Sequence, residues 1–178
     1  MIMKMSKSML LGAALGLSLA GAQAGEWGNW RGPNYDGSTD AKNLPTQFSK
    51  TKNVLWSVKM DGPSAATPVI WGDNVFVSSS NQEKERLTAN CYDRKTGALK
   101  WSHQVARGFR QDNRSNYASP SPVTDGQVVT FFYGGGELAT FNTDGELKVI
   151  GTGAFSGAIG ITNLTIPASV TNINSSAF

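Results

Sequence analysis

The sequence predicts an all-β protein built from repeated groups of about four short strands. Three observations lead there. Beyond residue 24, no window sustains a helical period of apolar residues. Apolar bursts are instead separated by tight turns at Gly72-Asp73-Asn74, Lys95-Thr96-Gly97, Asp125-Gly126, Gly134 to Gly136 and Asp144-Gly145. Two phrases also recur. Pro68 to Val77 and Pro122 to Val129 each hold a proline, an apolar burst, a Gly/Asp turn and a second burst, at an offset of 54. Cys91 to Gly97 lies beside Thr140 to Gly145, one residue shorter, with Gly97 and Gly145 48 positions apart. Such periods are the spacing of β-propeller blades.

The first 24 residues stand outside this pattern. Lys4 and Lys7 precede an apolar run from Met9 to Leu19, and Ala22-Gln23-Ala24 supplies small residues flanking a cleavage site. The arrangement predicts a secretory signal peptide over 1–24. The run is too short to cross about 30 Å of hydrocarbon, so no membrane span is expected and the mature chain is placed in the periplasm or secreted. Without residues 1–24 the formal charge falls from +3 to +1, because two lysines and no acid are lost. A nearly neutral chain has no electrostatic footprint for nucleic acid. Cys91 is the single cysteine, so an internal disulfide is excluded and the thiol is expected to be buried. The lone His103 argues against a histidine-rich metal site or a Ser-His-Asp triad.

Each later stretch follows in order. Residues 25–52 form an N-terminal segment in which Trp27 and Trp30 precede a Gly-Pro turn and are expected to pack against the strands. "NVLWSVKM" (53–60) alternates as a strand, with Val54, Trp56, Val58 and Met60 on one side. "TPVIWGDNVFVSSS" reads as a hairpin, "LTANCYDRKTGALKWSHQV" as another, and "SPVTDGQVVTFFYGGGELATFNTDGEL" as further strands. Between the two groups lies a polar loop, Ala106 to Pro122, longer than a hairpin needs. Loops at this place in a propeller lie on a face, where ligands bind. Arg110, Asn113, Arg114 and Asn116 are its candidate binding residues, the arginines being suited to a carboxylate or sulfate. "YGGGEL" lacks the spacing and the following helix of a nucleotide loop and reads as a turn. The acids Asp61, Asp73, Asp93, Asp125 and Asp144 mostly fall on turns, where a turn role explains them.

"CYDRKTGALKW" resembles the tryptophan-docking repeat of pyrroloquinoline-quinone (PQQ) type β-propellers, written A-x-D-x-x-T-G-x-x-x-W. Asp93, Thr96, Gly97 and Trp101 fall on that motif, and Cys91 stands where Ala is usual. Trp56 resembles the same docking tryptophan on the strand leading into the first blade. "WGNWRGPNYDGST", "NVLWSVKMDGPSAATPVIWGDNVFVSSS" and "NYASPSPVTDGQVVTFFYGGGELATFNTDGEL" resemble the opening of exported PQQ-like repeat proteins, often named after the outer-membrane assembly factor of the same fold. This resemblance spans about 27–147. It implies a partial propeller over 53–148. Position 149, where a second docking tryptophan would fall, is Val.

From there the wording changes. Ala154-Phe155 recurs as Ala177-Phe178, an offset of 23, and "VIGTGAFSGAIGITNLTIPASVTNINSSAF" resembles a BspA-like leucine-rich repeat of bacterial surface proteins. A leucine-rich-repeat fragment is therefore expected over 149–178. Propellers close with about 4–8 blades, and this chain has material for about two. The expectation is an incomplete propeller, truncated or fused in this chain, that is marginally stable or self-associates through open sheet edges.

Three functions fit the sequence. The preferred one is a non-catalytic binding or scaffold module of the cell envelope, docking a protein or polymer at a propeller face. The resemblance also implies an enzymatic alternative, a quinoprotein oxidoreductase fragment holding PQQ and Ca²⁺; outside that alternative no cofactor is expected. In the third, the chain has no independent function. No residue is assigned a catalytic, cofactor-binding or metal-binding role.

Overall fold

A computed structural model of the chain describes residues 25–42, 44–108, 115–151 and 166–177. Among them all regular structure is β, arranged in two sheets of consecutive strands. The first sheet runs β1 (Val69–Trp71), β2 (Asn74–Asn81), β3 (Arg86–Asp93) and β4 (Leu99–Arg107), each antiparallel to the next. The second repeats the arrangement with β5 (Val123–Thr124), β6 (Val128–Phe132), β7 (Leu138–Asn142) and β8 (Leu147–Ile150). A ninth strand, β9 (Asn172–Ile173), adds to the edge of β8 in parallel.

Local chemistry sets these boundaries. Trp71 pairs with Asn74, so Gly72 and Asp73 form a two-residue turn between β1 and β2, as the sequence predicts. β2 alternates Phe76, Ser78 and Ser80 on one face with Val77 and Ser79 on the other. The serines of this run are all buried, and neighbours satisfy their hydroxyls. Ser79 Oγ lies 2.6 Å from Thr88 Oγ1, Ser78 donates to the Ala118 carbonyl at 3.3 Å, and Asn90 Nδ2 donates to the Val77 carbonyl at 3.1 Å. Buried hydroxyls bonded in this way cost little and fix the pairing of β2 with β3.

The main core lies between the two sheets. Val69, Phe76, Leu87, Ala89 and Cys91 from the first meet Val129, Phe131, Tyr133, Ala139 and Phe141 from the second. Each fully buried Phe or Leu in it contributes about 1.5–3 kcal/mol. The opposite face of the first sheet is covered by the segment before β1. There Trp56 and Met60 pack on Val75, Val77 and Tyr92. The alternation of residues 53–60 predicts a strand, but no ladder partner pairs with them among the described residues, and the segment is extended without being a strand. Its Leu55 is 89% exposed.

Asp61 anchors this segment. Its carboxylate accepts from Lys84 Nζ at 2.7 Å and from Arg86 Nε at 2.7 Å, with Arg86 Nη2 closing the pair. It is therefore an ion-pair residue tying 59–63 to the turn between β2 and β3, which corrects its reading as a turn residue. The Lys84 contact, followed by Arg86, holds the Asp61 carboxyl below its ordinary value. A carboxyl depressed in the folded state adds stability above its unfolded pKa, about 3.9. That stability is lost as pH falls through the folded value. Acid melts of the unmodified chain should therefore weaken below about pH 4. Asp61→Asn should cost about 1 kcal/mol at neutral pH and flatten the acid-side loss. Identical pH profiles for the two proteins would contradict this role.

The N-terminal segment meets the sheets through Trp27. Its backbone exchanges two hydrogen bonds with Ile70, each 2.8 Å, and Gly28 O accepts from Thr124 N at 2.8 Å. Trp27 and Gly28 thus tie β1 to β5. Trp30 does not pack on the sheets as expected. It is 63% exposed, with the Arg31 guanidinium 5.0 Å from its ring centroid.

Candidate functional site

The docking motif is the best-defined constellation, and it occurs twice in space. In the first sheet the turn after β3 is built by Asp93. Its Oδ1 accepts from Lys95 N at 3.0 Å, Thr96 N at 2.8 Å and Thr96 Oγ1 at 2.8 Å. The Thr96 hydroxyl, then the Thr96 and Lys95 amides, hold the Asp93 carboxyl below the usual range. Gly97 closes the turn with φ 74°, a conformation that favours glycine. Trp56 lies flat on that glycine: a Cβ there would stand 2.7 Å from Trp56 Cδ2. The indole Nε1 donates to the Arg94 carbonyl at 2.8 Å.

The same construction joins the two sheets. Asn142 takes the place of Asp93, accepting Glu146 N on Oδ1 at 2.7 Å, and Gly145 adopts φ 93°. Trp101 of β4 lies on this second turn. A Cβ at Gly145 would stand 2.8 Å from Trp101 Cγ, and Trp101 Nε1 donates to the Thr143 carbonyl at 3.0 Å. The Trp101 ring also meets Phe76, Phe131 and Phe141 at centroid separations of 5.9, 6.2 and 5.5 Å. His103 stacks on Phe141 at 5.0 Å. Each tryptophan thus leaves one structural unit to pin the turn of the next. Cys91, paired between Phe76 and Trp101, is fully buried, and burial pushes its thiol up to about 12, so it stays a neutral packing group.

Of the loop candidates, Arg110, Asn113 and Arg114 lie outside the described residues. Asn116 organises its own turn. Its Oδ1 accepts from Ala118 N at 2.8 Å, and its N donates to Ser119 Oγ at 2.9 Å. Among the described residues no three His, Cys, Asp or Glu side chains gather as a metal site. Sequence reasoning missed a third tryptophan contact of this kind. Trp71 lies where a Cβ on Gly126 would stand 2.2 Å from Nε1, without any surrounding motif to signal it.

It also missed a cleft of about 510 Å³ between β4 and the second sheet. Val105, Ala139, Phe141, Leu147 and Ile150 line it with His103, and Pro167 and Ser169 close one side. Glu137 and Glu146 also line it.

A family model described as outer membrane protein assembly factor BamB matches residues 38–157. The chain belongs to this family. Membership in the BamB family accounts for the two consecutive sheets, of four and five strands, as blades of an incomplete propeller, the predicted fold class. Among solved structures, the crystal structure of BamB from Moraxella catarrhalis is similar at 17% identity with a TM-score of 0.40. The similarity covers 54% of this chain and 30% of that one, so the chain spans less than a third of that protein's length. A comparison with curated proteins finds no match. The leucine-rich-repeat resemblance over 149–178 has no counterpart in these comparisons. Half of that stretch, residues 152–165 and 178, lies outside the described residues. The BamB family match runs on to residue 157, and Val149 and Ile150 pair with β7 as part of the second blade.

Proposed function

We propose that this chain is an exported, non-catalytic propeller module that binds another protein during assembly of the outer membrane. Membership in the BamB family over 38–157 is the observation that carries the reading. The docking geometry supports a propeller scaffold. Asp93 and Thr96 spend their side-chain hydrogen bonds on the turn, and Trp56 and Trp101 spend theirs on turn carbonyls. These residues hold the blades together. No helix among the described residues is long and apolar enough to cross a membrane. The leader over 1–24 would carry the chain across the inner membrane and be removed after Ala24.

Deleting the chain from its host tests the reading. The amount of heat-modifiable, folded outer membrane protein is expected to fall and to be restored by the full-length chain. The exported form is expected to begin at Gly25. Unchanged outer membrane protein in the deletion strain would refute the assembly role.

A further inference from the structure

The loop from Asn29 to Ser38 carries two large rings that the fold does not use. Trp30 is 63% exposed and Tyr35 is 73% exposed, and neither belongs to a core cluster. The loop beneath them is firmly built. Asn29 Nδ2 donates to Gly32 O at 2.9 Å, Asn29 Oδ1 accepts from Arg31 N at 3.0 Å, and Gly37 N donates to Arg31 O at 2.9 Å. The Trp27 ring packs on Gly32, where a Cβ would lie 2.6 Å from Trp27 Cζ3. Through the backbone bonds of Trp27 and Gly28 the loop is fastened where β1 and β5 meet. Tyr35 sits in this loop at φ 59°, in the left-handed region, where a bulky side chain is a strained outlier. Glycine or asparagine would serve the turn with less strain. A ring that strains the backbone and gains no burial does nothing for the fold.

Arg31 adds a charge to the same loop. Its guanidinium lies 5.0 Å from the Trp30 ring centroid and makes no ion pair among the described residues. Trp, Tyr and Arg are the residue types that carry most binding energy at protein interfaces, and holding them rigid before contact lowers the cost of association. A sugar site needs free hydrogen-bonding side chains beside its rings. Here Asn29 is bonded at both ends, and Asn34 and Asp36 are both engaged by Ser38. We infer that this loop anchors the chain on its partner protein, Trp30 and Tyr35 entering an apolar pocket whose rim offers a carboxylate to Arg31. The inference rests on the protein-binding reading above and assigns it a surface.

Photo-crosslinking of the full chain in its host tests the surface directly. p-Benzoylphenylalanine in place of Trp30 or of Tyr35 should give an adduct with one and the same protein. The same probe in place of Phe48 or Leu99, 78% and 56% exposed, should give none. Adding Arg31→Glu should cut the adduct at position 35 about tenfold. No adduct at 30 and 35, equal adducts at 48 and 99, an adduct that lysozyme digests as glycan, or one that survives Arg31→Glu would each overturn the inference. Tyr35→Gly separates docking from folding. Relief of strain offsets the added freedom of the unfolded chain, so its thermal midpoint should stay within about 2 °C of the unmodified one. In the deletion strain it should restore less than about half of the folded outer membrane protein that the unmodified chain restores. A midpoint many degrees lower would make Tyr35 a folding residue and overturn the inference, as would full restoration. If the unmodified chain restores nothing, the assembly reading falls and the adducts still decide the surface.

Discussion

Trp101→Ala is expected to destabilise the chain by about 2–4 kcal/mol, somewhat under the range for truncating a fully buried aromatic because the ring is half-buried. The ring touches the core from both blades, through Phe76 on one side and Phe131 and Phe141 on the other. Truncation leaves a cavity at that junction and removes the donor to the Thr143 carbonyl. It also strips the cover from Gly145. With a domain's total stability about 5–15 kcal/mol, this one change would remove a large share. Denaturant melts followed by far-ultraviolet circular dichroism should show the midpoint falling steeply. A loss below about 1 kcal/mol, the level of an ordinary surface substitution, would contradict the docking role.

Gly145→Ala carries the second large effect, about 2–4 kcal/mol. Two costs combine. At φ 93° an L side chain is strained, and its Cβ would meet Trp101 Cγ at 2.8 Å. Only the second depends on the tryptophan. In a Trp101→Ala background the same glycine change should therefore cost about 1 kcal/mol, the backbone part alone. Strict additivity of the two changes would mean that the ring and the turn do not bear on one another. The pair Trp56 and Gly97, with φ 74° and a 2.7 Å approach, should behave alike.

Much of this was legible because turns and docking contacts are written locally. Asp93, Thr96, Gly97 and Trp101 lie within nine consecutive residues, and turn chemistry dictates their types. The alignment of Asn142 with Asp93 and of Gly145 with Gly97 was readable for the same reason. Residues whose role depends on distant partners were not. Ser78 to Ser80 end the predicted hairpin with nothing local to mark them as interior, yet they are buried because Thr88, Ala118 and Pro63 come back to meet them. Trp71 carries no motif, since its partner Gly126 lies 55 positions on. Residues 53–60 show the right alternation, but alternation signals one apolar face and cannot supply a neighbouring strand. The pairing of β9 with β8 rests on Thr171 N donating to Lys148 O at 2.9 Å, a contact across 23 residues with no local signature. The interblade cleft was invisible because two blades must be assembled before it exists.

The central claim is that the two sheets are successive blades locked into one unit by a tryptophan on a turn. Native-state hydrogen exchange measures it most directly, comparing the unmodified chain with Trp101→Ala. If the claim holds, the amides of β2, β3, β6 and β7 share one opening free energy, and the substitution lowers it in both sheets together. Protection that drops in one sheet and stays unchanged in the other would show two independent units and contradict the account.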